Sequence, residues 1–384
     1  MSPLFLPDEL IAEVLSLLKP KSLLRFKCVS KSWNSLISDP FFINMHLIQS
    51  SRNPNIILLP EDFPTTSSIA LLNPLLDDNP SINHFPKDSK YKLMKRYCHV
   101  IGSCNGLTCL VNSLHVVNSP CKNEFYLWNP STRWVSKKPV SFHHSYQSFN
   151  FSFGYDNLTN KYKVLAFRPN DVRILALGDN IWRNIQSSPT PPHEYCSIFG
   201  HANYGVYLNN SINWFALRDN KRPNDYCRAD LSVQQFLIIS LDLRTETYTQ
   251  FQFPQGFDQV PVVAPIVCRL MGCLCFSHYS RWYNFDIWQM KEFGVEKSWT
   301  KLLKFNYHDL IIQCGSSQLI QLFPLHVFEN GDTLILSGNH NQLICYNSRD
   351  NRVVRQATIT NSICERMFNV KHYVESLHES NILQ

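Results

Sequence analysis

The stretch Gly205-Val206-Tyr207-Leu208-Asn209-Asn210-Ser211-Ile212-Asn213-Trp214-Phe215-Ala216-Leu217 decides the fold of most of this chain. Two runs rich in β-branched and aromatic residues are joined through Asn209-Asn210, a pattern that reads as two short strands and a turn. A third apolar run, Phe236 to Leu243, follows. Asp242-Leu243-Arg244-Thr245 then turns it into Tyr248-Thr249-Gln250-Phe251-Gln252-Phe253. Four strands in sequence make a meander.

The same grammar recurs on both sides. Gly106, Gly154, Gly205, Gly272 and Gly331 each lie near the start of an apolar strand and are separated by 48, 51, 67 and 59 residues. Asn129-Pro130-Ser131-Thr132 and Asn347-Ser348-Arg349-Asp350 are turns, followed by the strands at Trp134-Val135 and Val353-Val354. A repeat near 50 residues with four strands in each unit is the signature of a β-propeller, whose closed ring removes exposed sheet edges. Five units fit between Tyr97 and Thr360. Strand-like segments at Asn55 to Leu59, Ile69 to Leu72 and Met367 to Val374 could close the ring from both ends, so the sequence predicts about six blades. Gly-Gly and Trp-Asp pairs are missing, so the repeats are degenerate by kelch or WD standards.

Composition agrees with a packed, strand-rich protein. Of 384 residues, 44% are hydrophobic and 17% charged, which excludes disorder as the main state. The net charge of +6 is dilute over this length and excludes a nucleic-acid footprint. The one basic run, Lys87, Lys90, Lys92, Lys95 and Arg96, reads as a solvated linker. Met1 to Pro7 has no basic residue and is followed by Asp8, Glu9 and Glu13, unlike a secretory leader. Val260 to Phe276 contains Pro261, Pro265 and Arg269 and cannot span a bilayer as a helix. These features predict a protein of the cytoplasm, the nucleus or both, with neither nucleic acid nor membrane as partner.

Thirteen cysteines, an odd number, point to free thiols in a reducing compartment. Cys109, Cys273, Cys275 and Cys345 sit in apolar strands and read as core residues, while the spacings of Cys104, Cys109, Cys273 and Cys275 lack the pairing of a zinc site. No nucleophile elbow, metalloprotease helix, phosphate loop or dinucleotide loop is present, so no catalytic residue, metal or cofactor is predicted. His143, His144, His193, His278 and His308 fall in or beside expected loops and read as surface residues.

The first fifty residues follow a different period. Pro7 suits a first helical position, and Asp8 and Glu9 complement the positive end of a helix. Leu10, Ile11, Val14, Leu15, Leu17 and Leu18 then recur at helical spacing over an arc too wide for one packing partner. Pro20 breaks this helix and opens a second one bearing Leu23, Leu24 and Phe26. Ser30 caps a third, with Trp33, Leu36 and Ile37, stopped by Asp39-Pro40. Three short helices without disulfide or metal cannot make a self-sufficient core, so their surplus apolar surface must meet another protein.

Leu6-Pro7-Asp8-Glu9-Leu10, Val14-Leu15, Lys21-Ser22-Leu23-Leu24-Arg25-Phe26, Cys28-Val29-Ser30-Lys31-Ser32-Trp33 and Leu36-Ile37 closely resemble the F-box motif. In Leu18-Lys19-Pro20-Lys21 the proline stands one place later than is usual in that family. Ile101-Gly102-Ser103-Cys104-Asn105-Gly106-Leu107, Leu127-Trp128-Asn129-Pro130-Ser131-Thr132, and Phe153-Gly154-Tyr155-Asp156 with Lys161-Tyr162-Lys163-Val164 resemble the plant F-box-associated domain. The resemblance is to the plant F-box/kelch-repeat and F-box-associated proteins, a group that includes the S-locus F-box proteins.

That resemblance implies an α+β multidomain chain: an F-box at 1–45, a linker with possible closing strands at 46–96, a propeller at 97–377 and a tail at 378–384. It implies a substrate-recognition subunit of an SCF-type cullin-RING ubiquitin ligase, not itself an enzyme. Leu6, Pro7, Leu10, Ile11, Val14, Leu23, Val29 and Trp33 would dock on a Skp-type adaptor, and through it a cullin scaffold, while the propeller captures a protein target. A second reading, a propeller enzyme or scaffold with an unrecognised site, stays open at this point. Target specificity is expected on long polar-aromatic connections at Ser141 to Phe149, Arg218 to Leu231 and Tyr279 to Tyr283. Within them Arg222, Tyr226, Arg281 and Trp282 are the residue types that dominate interface energetics.

Overall fold

The computed structural model describes residues 7–52, 55–60, 68–72, 91–92, 98–114, 121–144, 149–168, 171–179, 181–186, 205–218, 231–261, 263–280, 283–314, 322–338, 342–358 and 368–378. Helices α1 (Asp8–Ser16), α2 (Pro20–Phe26), α3 (Lys31–Ser38) and α4 (Pro40–Ser50) come first. The sequence predicts three helices here, and four are present among the described residues. Asp39-Pro40, read above as a stop, is also a start: the Asp39 carboxylate accepts from Phe41 N at 2.8 Å, and Pro40 occupies a first-turn position where no N–H is needed.

Among the described residues five blades then follow in chain order, where the sequence predicts about six, each an antiparallel meander. The first holds β4 (Cys98–Cys104), β5 (Leu107–Leu114), β6 (Cys121–Asn129), β7 (Trp134–Val135) and an extra strand, β8 (Val140–His144), paired to β6. The second holds β9 (Asn150–Asp156), β10 (Lys161–Arg168), β11 (Asp171–Ala176) and β12 (Arg183–Ile185). The stretch quoted first forms the third, β13 (Val206–Leu208), β14 (Ser211–Leu217), β15 (Phe236–Asp242) and β16 (Tyr248–Gln252). In the fourth are β17 (Ile266–Leu270), β18 (Cys273–Ser280), β19 (Asn284–Met290) and β20 (Trp299–Asn306). In the fifth are β21 (Leu322–Val327), β22 (Thr333–Gly338), β23 (Gln342–Asn347) and β24 (Arg352–Thr358). A helix, α5 (Tyr307–Gln313), lies between blades four and five, capped by the Asn306 side chain.

One more sheet draws on both ends of the chain, in the order β25 (Phe368–Tyr373), β1 (Asn55–Pro60), β2 (Ser68–Leu72) and β3 (Tyr91–Lys92). β3 falls inside the basic run read as linker; the rest of that run lies outside the described residues. The first strands of successive sheets touch in a ring, with β25 in contact with both β4 and β21. The cores lie in the seams between blades. Phe125, Phe153, Tyr162 and Val164 fill one, Ile174, Trp214, Leu237 and Ile239 the next, and Phe276, Trp288 and Trp299 a third.

The turns obey local chemistry. Asn105 and Gly106 both have positive φ in a two-residue turn, as do Asn209 and Asn210, which suits residues that tolerate the left-handed region. Asn129, Asp242 and Asn347 each turn the chain with a side-chain oxygen accepting from a backbone N–H two or three residues on. The glycine markers do not share one structural place: Gly106, Gly272 and Gly331 lie in turns, whereas Gly154 is inside β9 and Gly205 precedes β13. There a Cβ would strike Tyr207 at 2.6 Å or Ile212 at 2.2 Å, so close packing excludes a side chain.

Candidate functional site: an apolar helical face and a far rim

The helical unit is built around Ala12, Leu15, Leu23, Ile37 and Phe42, with Ile11, Trp33 and Leu36 half-buried at its border. His46 Nε2 of α4 donates to the Leu18 carbonyl at 3.0 Å, and burial pushes the imidazole pKa down. Ser30 Oγ accepts from Trp33 N at 3.1 Å, which sets the start of α3 as the sequence implies. Trp33 meets Phe26 edge-on at 5.3 Å.

What this core leaves outside is an apolar stripe. Leu10, Val14 and Leu17, at i, i+4 and i+7 of one helix, are 47%, 64% and 65% exposed, and Val29 in the turn after α2 is 64% exposed. Pro7 is exposed beside them, and Ile11 and Trp33 are half-buried. Leu6 lies outside the described residues. Leu23 is not on this face: it is fully buried at the centre of the helical core, so its contribution to any partner would be indirect. Leu17 was missed, although its spacing from Leu10 and Val14 carries the signal. A stripe of exposed leucine and valine edged by Glu9 and Glu13 can bury apolar area against a partner and has no acid–base chemistry of its own.

The second region follows from strand direction. β4, β9, β13, β17, β21 and β25 are the first strands of their sheets, and their C-terminal ends share one face of the ring. Asn157 N, after β9, donates to Asn210 Oδ1, after β13, at 3.2 Å, and Gly106, after β4, abuts Ser376, after β25. The helical unit joins on this near face, because α4 ends at Ser50, shortly before Asn55, the first residue of β1, which pairs with Tyr373 at the end of β25. The strand ends at Leu114, His144, Ile185, Leu217, Gln252 and Ser280, from which the next connections depart, lie at the opposite, far face. Of the three connections singled out from the sequence, Ser141 to Phe149 begins inside β8 and Tyr279 to Tyr283 inside β18, so those two are shorter than expected; all three start from strand ends on this one side. Arg222, Tyr226, Arg281 and Trp282 themselves lie outside the described residues.

Several polar side chains at the far ends of the strands are paired with one another. Arg168 and Arg173 share the Asp171 carboxylate at 2.8 and 2.9 Å, and the Arg168 guanidinium lies 4.3 Å from the Phe149 ring centroid. Hydrogen bonds from Arg173 and then Arg168 hold the Asp171 carboxyl below the usual carboxylate range. Asn123 joins Ser113 to His144 through bonds of 2.7 and 2.8 Å. In blade four, Asp286 accepts from Lys301 Nζ at 2.8 Å, and His278 Nε2 accepts from the Trp288 indole at 3.3 Å.

His278 corrects the sequence reading. It lies in β18 and is buried, with its pKa lowered to about 4, chiefly by burial. His143 and His308 are exposed, as expected of surface histidines, and His193 lies outside the described residues. Cys109 and Cys275 are buried, whereas Cys273 and Cys345 are only partly so. Among the described residues no three His, Cys, Asp or Glu side chains form a group that could hold a metal ion, and no helix is long and apolar enough to cross a membrane.

Comparison with known proteins gives these two regions a family. The F-box associated beta propeller domain model matches residues 61–379, and the F-box domain model matches residues 4–44. An F-box/kelch-repeat protein of Arabidopsis thaliana is 29% identical over 79% of this chain and 80% of its own length. F-box protein CPR1 of the same organism is 26% identical over 97% of this chain and 88% of its own length. An F-box/LRR-repeat/kelch-repeat protein, also from Arabidopsis thaliana, is 26% identical over 84% and 83%. The chain belongs to the F-box-associated β-propeller family and carries an F-box at its N-terminus.

Proposed function

We propose that this chain is the substrate-recognition subunit of an SCF-type cullin-RING ubiquitin ligase: the F-box docks on a Skp-type adaptor, and through it a cullin scaffold, while the far face of the propeller captures a protein target. The observation that carries this reading is the exposed stripe of Leu10, Val14 and Leu17, with Val29 also exposed, in a unit matched by the F-box model. An apolar patch of this kind on a small helical unit is unfavourable in water until a partner covers it. The receptor role is one of proximity. It raises the effective concentration of target lysines near a charged ubiquitin carrier, and no residue of this chain makes or breaks a covalent bond.

In this reading the F-box unit ends with α4, and the target meets the side of the ring away from the adaptor. Separation of the two surfaces on opposite faces lets both partners bind at once. The test is binding of a purified Skp-type adaptor to the full chain by calorimetry, with affinity purification from native tissue, with and without proteasome inhibition, to name the target. An adaptor that fails to bind the folded chain at tens of micromolar refutes the reading.

A further inference from the structure

The three stretches that carry the propeller resemblance converge on residues that follow the last strand. A Cβ on Gly106 would stand 1.9 Å from the Ser376 Cβ, so only glycine lets the arm lie against this turn. Asn129 Nδ2 donates to the Ser376 carbonyl at 3.0 Å and to the His378 carbonyl at 2.7 Å. Ser131 Oγ accepts from Ser376 N at 3.1 Å, and its hydroxyl also bonds that of Tyr373. The His378 ring meets the Tyr162 ring at 5.8 Å. Between these anchors Leu377 points the other way and is buried in the helical core with Ala12, Leu15, Leu23, Ile37 and Phe42, 3% exposed. Glu375, beside it, bonds Asn55 at the start of β1 and faces Lys19 at the cap of α2; burial is the main cause of its raised pKa.

We propose that residues 374–378 are a positioning arm: Leu377 completes the F-box core while Ser376 and His378 lock into blades one and two, so that the adaptor-binding unit is held in one orientation on the near face. The covalent link between the helical unit and the propeller runs from Ser50 at the end of α4 to Asn55 at the start of β1, and the arm adds a non-covalent tie beside it. The surplus apolar surface of the helices thus has two destinations, Leu377 of the same chain on one side and the exposed stripe on the other. The coupling holds for the chain alone, so its test involves no adaptor.

The experiment is hydrogen exchange read by mass spectrometry, together with small-angle scattering, on full-length Leu377→Asp, Leu377→Met and Asn129→Ala. Leu377→Asp should lower protection of α1 to α4 by about 100-fold or more and raise the radius of gyration, while protection of β9 to β24 stays at the wild-type level. Leu377→Met should restore both. Asn129→Ala leaves the helical core untouched, so the helices should keep most of their protection while the radius of gyration rises as the orientation loosens. Wild-type exchange in the helices and an unchanged radius in Leu377→Asp overturn the proposal. So does loss of protection throughout β9 to β24, since the arm would then be a general support of the propeller.

Discussion

Gly106 and Ser376 touch across the near face, and the same φ of about +75° is found at Gly272 in the matching turn of blade four, where nothing lies within 4 Å. The pair of turns separates backbone strain from contact. Gly272→Ala should cost about 1 kcal/mol, the penalty of a left-handed φ for a residue with a Cβ. Gly106→Ala adds displacement of the arm and should cost about 3 kcal/mol. Urea unfolding of the two variants measures the difference, and equal losses would show that the close approach contributes nothing.

On the helical unit, burial separates two kinds of leucine. Leu10→Asp, Val14→Asp and Leu17→Asp place a charge on the exposed stripe, so each should weaken adaptor binding by at least about tenfold while thermal unfolding of the propeller is unchanged. Leu23→Asp should instead unfold the helices, because its side chain is fully buried. Circular dichroism paired with adaptor titration reads both effects. Retained binding in all three stripe variants would remove this face from the interface.

Much of this was legible in the sequence because periodicity and turn chemistry are local. The hairpin around Asn209-Asn210 and the turns at Asn129, Asp242 and Asn347 depend on a few adjacent residues, and the structure has them where the pattern implies. The fourth helix was lost because Asp39-Pro40 has two meanings, a stop for one helix and a cap for the next. The family resemblance puts Leu23 on the adaptor face, but a motif match carries residue positions without saying which side chains are inside, and here Leu23 is fully buried. His278 looked like a loop residue beside the 281–283 connection, yet β18 carries it into the seam with Phe257 and Phe276. No local pattern announces Leu377: its partners are at the other end of the chain, and a single leucine after a strand has no period.

Lys163 and Asp156 form a buried pair at 2.9 Å, and Lys163 also reaches the Leu243 carbonyl and, at 3.6 Å, Glu246 of the next blade. Burial pushes the Asp156 carboxyl up, but bonds from Lys163, Thr159 and Leu158 N outweigh it and hold the group below its ordinary range. Lys163→Met leaves that carboxylate buried without its cation and should cost about 3 to 5 kcal/mol. Adding Asp156→Asn should recover much of the loss. A double variant no more stable than Lys163→Met in urea would mean that the lysine acts through packing alone.

His278 makes stability depend on pH in a stated direction. Its folded pKa, about 4, is below the ordinary value of 6.5, so the unfolded chain takes up the proton first. The stability associated with the neutral ring is complete above pH 6.5 and is lost as pH falls toward 4. His278→Gln keeps an acceptor for the Trp288 indole and removes the titration. Its unfolding free energy should fall less steeply over that window, by about one proton in slope. An unaltered slope would show that His278 takes no part in the acid sensitivity.

The connection between β14 and β15 offers the sharpest test of the far face. Arg218 N donates to the Gln235 carbonyl at 2.8 Å, which closes the base of the connection, and Leu231 and Val233 pack at the edge of the blade-three core. Residues 219–230, which include Arg222 and Tyr226, can therefore be exchanged for a short Gly-Ser turn without disturbing that base. The exchange should leave thermal unfolding and adaptor affinity unchanged, since both depend on parts of the chain elsewhere, and should reduce capture of the target identified by affinity purification. Target ubiquitylation at the wild-type rate in this variant would move the recognition surface away from this connection, to the rim of blades one and two around Arg168, Arg173 and Phe149.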